Sequence, residues 1–124
     1  MYIRANPNPK GKEAPDCVIR ALAIALGRSW YEVYDELCVL GRRECNMPSA
    51  DAVWGKFLYL MGFEPFLLLE ACPRCVTVEA FARMFPRGVY IIGTGSHAVA
   101  VIYGDYYDSW DSGEEVPSFF WRIR

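Results

Sequence analysis

Residues 17–26 form the segment that most limits how this chain can fold. The sequence CVIRALAIAL is apolar on almost every side of a helix, and Arg20 is its only charged residue. Pro15 marks a boundary before the segment, Asp16 is a good N-cap residue, and Gly27 is a typical C-cap. A helix that is apolar all round has to be buried. In a chain of 124 residues, this segment is therefore predicted to be the central helix.

The middle of the sequence also has helical periodicity. Ser29 and Glu32 have the spacing of a capping box, and Thr77 is a residue type that starts helices. Apolar residues recur at helical intervals after these positions. Further helices are therefore predicted over residues 29–41, 49–62 and 78–84.

Strands are expected mainly in the last third of the sequence. Residues 1–15 contain Pro7, Pro9 and Pro15, and they are expected to form an extended, irregular arm. Extended segments are predicted over residues 63–69, 88–92, 97–103, 106–110 and 119–123. Helices followed by antiparallel strands predict an α+β fold, formed as one domain over residues 1–124.

Composition and charge restrict the class of protein. The chain is 53% hydrophobic and 15% aromatic, which supplies a core and excludes a disordered protein. A net charge of -2 gives no basic face for nucleic acid. No apolar run reaches the length of a membrane span, and the first residues lack the apolar segment of a secretory signal. We therefore expect a cytoplasmic protein with reduced cysteines and with neither a membrane nor a nucleic-acid partner.

His97 is the only histidine in the sequence, so any acid-base chemistry by an imidazole depends on it. An alternating β-prone run follows it and ends at Gly104 and Asp105, after which a second run begins. This pattern is typical of a β-hairpin that has Gly104-Asp105 as its two-residue loop. The histidine is therefore predicted to open the hairpin.

The returning arm of this hairpin carries two carboxylates. With the predicted loop, Val101 pairs with Asp108, which places Asp108 roughly 13 Å along the strand from His97. Asp111 lies beside the histidine at the end of the strand, where a bulge can turn its side chain. Asp111 is therefore predicted to orient His97, with Asp108 as the second choice.

Cys17 lies on the first turn of the predicted central helix. The unpaired N–H groups of that turn and the positive end of the helix dipole favour a thiolate. A buried cysteine can also be a small hydrophobic residue. The combination of Cys17 with His97 and with a carboxylate on the next strand favours a nucleophile.

These residues resemble those of the papain-like cysteine peptidase superfamily. Asp16-Cys17 before the helix is similar to the DC start of the bacteriocin-processing peptidases, and the strings at 97–99 and 108–110 resemble HAV and NSW in papain. The order of cysteine, histidine and acid agrees as well. The resemblance implies a papain-like fold, in which a buried N-terminal helix and further helices pack on a C-terminal antiparallel sheet.

The resemblance does not decide which residue is the acid of the triad or which residue binds the oxyanion. The string similar to NSW nominates Asp108 as the acid, whereas the bacteriocin-processing and transglutaminase-like branches favour an acid near the strand end, as Asp111 is. The hairpin geometry decides for Asp111. Because the sequence has no glutamine to match the oxyanion-binding one of papain, Asn8 or Asn6 and the backbone N–H of Cys17 are the candidate donors.

The expected function is that of a cysteine-dependent hydrolase or acyl-transfer enzyme for peptide or isopeptide bonds. Cys17 attacks the carbonyl, His97 moves the proton, and Asp111 fixes the imidazole. Trp110 is expected to shield the histidine and acid or to contact substrate. The alternative is a non-catalytic papain-like binding or inhibitory module directed at a host protein, since small domains of this kind resemble products of bacteriophages.

The other four cysteines raise the question of structural zinc. Cys72 and Cys75 form a CxxC pair, and Cys38 and Cys45 bring the number to four. The second pair has a wider spacing, one of its members lies on a predicted helix, and no glycine typical of a zinc knuckle follows either pair. No cofactor is therefore expected.

Overall fold

The structure is a computed structural model that describes residues 1–68 and 76–123. Its helices are α1 (Cys17–Leu26), α2 (Trp30–Arg43), α3 (Asp51–Leu60) and α4 (Val78–Met84). Its strands are β1 (Tyr2–Arg4), β2 (Phe63–Leu67), β3 (Val89–Gly93), β4 (Ala98–Ile102), β5 (Asp105–Asp108) and β6 (Phe119–Ile123). The architecture is α+β, as predicted. Within these ranges, no helix combines the length and hydrophobicity needed to cross a bilayer.

Helix α1 has the predicted bounds and packs on the sheet. It contacts β3, β4 and β5, and α2 packs beside it. Gly27 ends the helix with a φ of 64°, a left-handed conformation that suits glycine. Asp16 occupies the N-cap position, but its side chain does not cap the helix as expected. Its carboxylate binds Arg20 and Trp30 instead.

The other helices agree closely with the periodicity of the sequence. Ser29 and Thr77 each accept a hydrogen bond from a backbone N–H in the turn that follows, which confirms both predicted caps. Helix α2 continues past its expected end at Gly41 to Arg43. Gly41 is buried, and its missing side chain leaves room for the backbone of Asn46.

The six strands form one sheet in the order β1-β5-β4-β3-β6-β2. Strand β1 is parallel to β5, and the other neighbouring pairs are antiparallel, so the sheet is mixed. This corrects the expectation of an antiparallel sheet and of an irregular arm over residues 1–15. A three-residue strand is too short to show alternation in the sequence. Its contacts are distant in the chain, since Tyr2 packs against Tyr106 with ring centroids 5.6 Å apart.

The hairpin between β4 and β5 turns one residue earlier than predicted. Tyr103 and Gly104 both have positive φ, 47° and 84°, as a type I′ turn requires. Ile102 therefore pairs with Asp105, which belongs to β5 rather than to the loop. The predicted loop at Gly104-Asp105 is wrong because a tyrosine takes a left-handed position that glycine normally occupies.

Apolar side chains pack on both faces of the sheet. One cluster joins α1, α2 and α3 to the sheet and includes Leu22, which is fully buried. A second cluster surrounds Phe81 of α4. Successive residues of β4 alternate between the clusters, since Ala100 belongs to the first and Val101 to the second. The sheet therefore separates two cores, and α1 lies on the face that carries the larger helices.

Candidate active site

Cys17 is the first residue of α1 and is half-buried. No acceptor among the described residues meets its N–H, as is usual in the first turn of a helix. Its thiol lies beside His97 and the backbone of Ala98, within the range of hydrogen bonding. Burial raises the pKa of the thiol, but hydrogen bonding with these groups and the charges of His97 and Arg20 outweigh burial and hold the pKa below its ordinary value.

His97 lies in the loop between β3 and β4, directly before β4 begins. Its side chain is only 9% exposed, and its Nε2 lies 2.6 Å from Oδ2 of Asp108. This contact leaves Nδ1 for the thiol of Cys17. Burial lowers the pKa of the imidazole, but the hydrogen bonds with Asp108 and Cys17 raise it to about 9.

Asp108 is the last residue of β5, and its side chain is buried. Besides His97, the Oγ of Ser112 donates to Oδ2 at 2.7 Å, and the backbone N–H of Ser109 donates to Oδ1 at 2.8 Å. Burial raises the pKa of the carboxyl, but the hydrogen bonds from His97 and Ser112 lower it below its ordinary value. A carboxylate fixed in this way holds the imidazole in one orientation. The sequence does not single out Ser112, which is buried beneath this contact.

Asp111, the acid preferred from the sequence, does not hydrogen-bond to His97. Its Oδ1 accepts from the hydroxyl of Tyr106 at 2.6 Å and from the N–H of Gly113 at 3.0 Å. The preference for Asp111 as the partner of His97 is wrong because it depended on the hairpin register. The observed register, continued by one residue, places Asp108 two residues from His97 along the strand, roughly 7 Å rather than 13 Å. Their side chains span this distance.

A buried polar network connects the site to the N-terminal residues. The guanidinium of Arg20 lies between the carboxylates of Asp16 and Asp108. Oδ2 of Asp16 also accepts from the indole N–H of Trp30 at 2.9 Å and from the amide of Asn8 at 3.1 Å. Arg20 could have been suspected from the sequence, since it is the one charge in an apolar helix. Its i,i+4 spacing from Asp16 also indicates one partner, but nothing in the sequence indicates Asp108.

A cavity of about 410 Å³ opens beside Cys17 and His97. Its walls come from residues 14–15, the start of α1, the start of α3 and the loop before β4. Trp110 also lines it, with its ring 5.0 Å from the imidazole of His97 between centroids and 46% of the residue exposed. Trp110 therefore lies where a shield for the His97–Asp108 hydrogen bond is expected. A reactant can reach the thiol from this cavity.

Asn8 and Asn6 do not line this cavity. The amide nitrogen of Asn8 donates to Asp16, and the side-chain oxygen of Asn6 accepts from the N–H of Asn8 at 3.1 Å. The expectation that either amide reaches a reacting carbonyl is wrong because both stabilise the N-terminal segment. Cys17 and Val18 line the cavity, and their N–H groups have no backbone acceptor among the described residues. These helix N–H groups are the donors available to an oxyanion.

The thiol and the imidazole form an acid-base pair. The lowered pKa of Cys17 and the raised pKa of His97 together increase the share of the pair that is present as thiolate and imidazolium. The thiolate is a nucleophile, and the imidazolium is a proton donor. Asp108 stabilises the positive charge of the imidazolium. The arrangement can therefore attack a polarised carbon and protonate a leaving group.

The two other cysteines that the structure describes are separate from this site. Cys38 and Cys45 are free thiols, on α2 and just after it. Across residues 1–68 and 76–123, no three His, Cys, Asp or Glu side chains group in a way that could hold a metal ion. Cys72 and Cys75 lie outside the described residues, so the structure does not test a zinc site that includes them.

Comparisons of the chain with protein-family models, with curated proteins and with solved structures find no match. Support for the chemistry of the site therefore comes from the geometry of its own residues.

Proposed function

We propose that this protein is a cysteine-dependent hydrolase or acyl-transfer enzyme whose triad is Cys17, His97 and Asp108. The observation that carries the proposal is a thiol beside an imidazole that a buried carboxylate holds at 2.6 Å, all at the wall of an open cavity. Peptide or isopeptide bonds are the proposed substrates, and a papain-like fold is part of the proposal. Both follow from the resemblance of the sequence strings to the papain-like superfamily.

The first half of the reaction releases an amine. The thiolate of Cys17 attacks the carbonyl carbon, and a C–S bond forms as the carbonyl oxygen takes the negative charge. When this tetrahedral intermediate collapses, the C–N bond breaks and the imidazolium of His97 gives its Nδ1 proton to the leaving nitrogen. The products are a free amine, a neutral imidazole and a thioester on Cys17.

The second half restores the ion pair. His97 takes a proton from water, or from an acceptor amine, as that nucleophile attacks the thioester. The C–S bond breaks, and the thiolate and imidazolium return. Asp108 keeps Nε2 protonated throughout, and the N–H groups of Cys17 and Val18 stabilise the oxyanion in both halves. Water gives hydrolysis, whereas an amine gives acyl transfer.

Alkylation by iodoacetamide tests the nucleophile without a known substrate. At pH 6.5 an ordinary thiol, with a pKa of about 8.5, is only about 1% ionised. We expect Cys17 to react roughly 10-fold or more faster than Cys45, which is exposed and so is not protected by burial. Peptide mapping by mass spectrometry at successive times measures both rates in the same sample.

The matched variants are Cys17→Ala and Cys45→Ala. Cys17→Ala should abolish the fast phase, whereas Cys45→Ala should leave it intact. Equal rates for Cys17 and Cys45 in the folded wild-type protein would contradict the enzymatic proposal.

The second candidate is a non-catalytic binding or inhibitory module directed at a host protein. It is favoured by one observation: no side-chain amide of the described residues lines the cavity, so the oxyanion-binding glutamine of papain has no counterpart there. Under this proposal the cavity holds a segment of the partner without turnover. Slow labelling of Cys17 by iodoacetamide supports this candidate.

A further inference from the structure

Asp16, which precedes Cys17, and Asp108, which contacts His97, both pair with the guanidinium of Arg20. Nη1 of Arg20 binds Oδ1 of Asp16 and donates to the carbonyl of Ala14 at 3.3 Å, while Nη2 lies 3.5 Å from Oδ1 of Asp108. The side chains of Arg20, Asp16 and Asp108 are 8%, 6% and 3% exposed. Asp16 directly precedes the nucleophile in the sequence, and Asp108 holds the imidazole.

We propose that Arg20 is a positioning residue of the site, which binds Asp16 and Asp108 at once and whose charge offsets these two buried carboxylates around the thiolate. The inference rests on the proposed function, because it concerns the same triad. A guanidinium suits this role because its separate N–H groups reach two carboxylates at once, which a single ammonium does less well. Nε of Arg20 is buried without a partner among the described residues, so the guanidinium is held through Nη1 and Nη2.

The charges around Arg20 determine what its loss does. Asp16 faces it from the segment before α1, Asp108 from β5, Cys17 from the preceding turn of its own helix, and His97 acts through Asp108. No charged side chain of α2 or β3, within the described residues, pairs with it. Two of these groups are negative carboxylates, and the sulfur becomes negative on ionisation. Without Arg20, the negative charge of Asp16 near the thiolate is unbalanced, and only the imidazolium of His97 offsets that of Asp108.

The loss of a positive charge raises the pKa of every acid near it. Burial raises the pKa of the Cys17 thiol, and the charge of Arg20 is among the influences that lower it. In Arg20→Gln we therefore expect the pKa of Cys17 and the pKa of His97 both to rise, each by about 1 pH unit. If Arg20 served only as a mechanical prop, the His97–Asp108 contact would loosen, and the pKa of His97 would fall toward its ordinary value.

Two titrations of the full chain measure these pKa values. The pH dependence of iodoacetamide alkylation gives the midpoint for Cys17. Because His97 is the only histidine, the imidazole proton resonances in an NMR titration report on it without assignment. Arg28→Gln is the control, since Arg28 also pairs with a carboxylate, that of Glu36 at 2.7 Å, but lies outside the cavity.

The expected result is a rise of both midpoints in Arg20→Gln and no shift in Arg28→Gln. Unchanged midpoints in folded Arg20→Gln, or a fall of the His97 midpoint, would overturn the inference. If Arg20→Gln does not fold, Asp16→Asn replaces it in both titrations. Asparagine has nearly the shape of aspartate but no negative charge, so the expected shift of each pKa has the opposite sign. Both midpoints should then fall, and unchanged or raised midpoints would overturn the inference.

Failure of the proposed function gives a different result. If wild-type Cys17 has no lowered midpoint and reacts no faster than Cys45, the enzymatic proposal itself fails. If wild-type Cys17 reacts fast but the Arg20 and Asp16 variants leave both midpoints in place, only the inference about Arg20 fails.

Discussion

The protonation of His97 depends on which carboxylate faces it. Asp108 lies 2.6 Å from Nε2, whereas the Oδ1 of Asp111 binds Tyr106 and Gly113. A buried imidazole without a carboxylate would have a lowered pKa, because burial disfavours its charged form. The raised pKa of about 9 is therefore a direct consequence of the neighbours of this one ring.

We expect Asp108→Asn to lower the pKa of His97 from about 9 toward the ordinary value of about 6.5. The amide keeps the shape of the side chain but removes the negative charge that stabilises the imidazolium. Asp111→Asn is the matched control and should leave the pKa of His97 in place. NMR titration of the single histidine measures both variants, and a larger fall in Asp111→Asn would contradict the assignment of the acid.

Cys17 and His97 could be identified from the sequence because each is marked by its local setting. One begins an apolar helix, and the other precedes an alternating strand and is the only histidine. Arg20, Asp16 and Ser112 could not be placed in the site in this way. Arg20 and Ser112 contact Asp108, and Asp16 joins them only through Arg20, so these roles exist only after the chain has folded.

At the level of the elements, the β4–β5 hairpin decides where the acid lies. Its turn uses Tyr103 at a φ of 47°, a conformation that is unfavourable for a tyrosine. The sequence predicts Gly104 and Asp105 as the loop, since glycine takes positive φ most easily. Moving the loop by one residue shifts every cross-strand pair by two residues, about 7 Å along the strand, and this shift changed the predicted partner of His97.

Tyr103→Asn should stabilise the hairpin. Asparagine tolerates the left-handed conformation, and Asn-Gly is the preferred pair in a type I′ turn. Because the side chain of Tyr103 is largely exposed, little packing is lost. We expect the free energy of unfolding to rise by about 0.5–1 kcal/mol, measured by urea denaturation. Tyr103→Ala, which keeps the unfavourable φ, should bring no such gain, and an equal gain would contradict this explanation.

For the whole molecule, the site couples folding to pH. His97 has a raised pKa in the folded state, so its contribution to stability is complete below its unfolded pKa of about 6.5 and is lost as the pH rises through about 9. Asp108 has a lowered pKa, so its contribution is present above the ordinary carboxyl range and is lost in acid. The lowered pKa of Cys17 acts in the opposite sense to that of His97.

A comparison without the thiol isolates the contribution of His97. In a Cys17→Ala background, the additional change His97→Gln should reduce the free energy of unfolding by about 2 kcal/mol near pH 6. The reduction should shrink as the pH rises above about 6.5, because the imidazolium is then lost from the folded state as well. Without Cys17, which helps to raise the pKa of His97, this loss occurs below the wild-type value of about 9. Urea denaturation at several pH values measures this, and a reduction that grows with pH would contradict the sign.

The topology of the whole sheet was only partly predictable. Most strands and all the helix positions follow from periodicity within the described residues, but β1 does not, since Tyr2–Arg4 pairs with a strand from the other end of the chain. This pairing also links the start of the chain to the residue that holds His97, because the N–H of Ala5 donates to the carbonyl of Asp108 at 2.9 Å.

The triad takes its sulfur from α1, near the beginning of the chain, and its imidazole and carboxylate from the late hairpin. During synthesis, the ribosome releases the cysteine long before the histidine. A nascent chain therefore carries an ordinary thiol, and its reactivity appears only after the last strands have emerged and joined the helix. Under the proposed function, an unfinished chain therefore lacks activity toward peptide bonds.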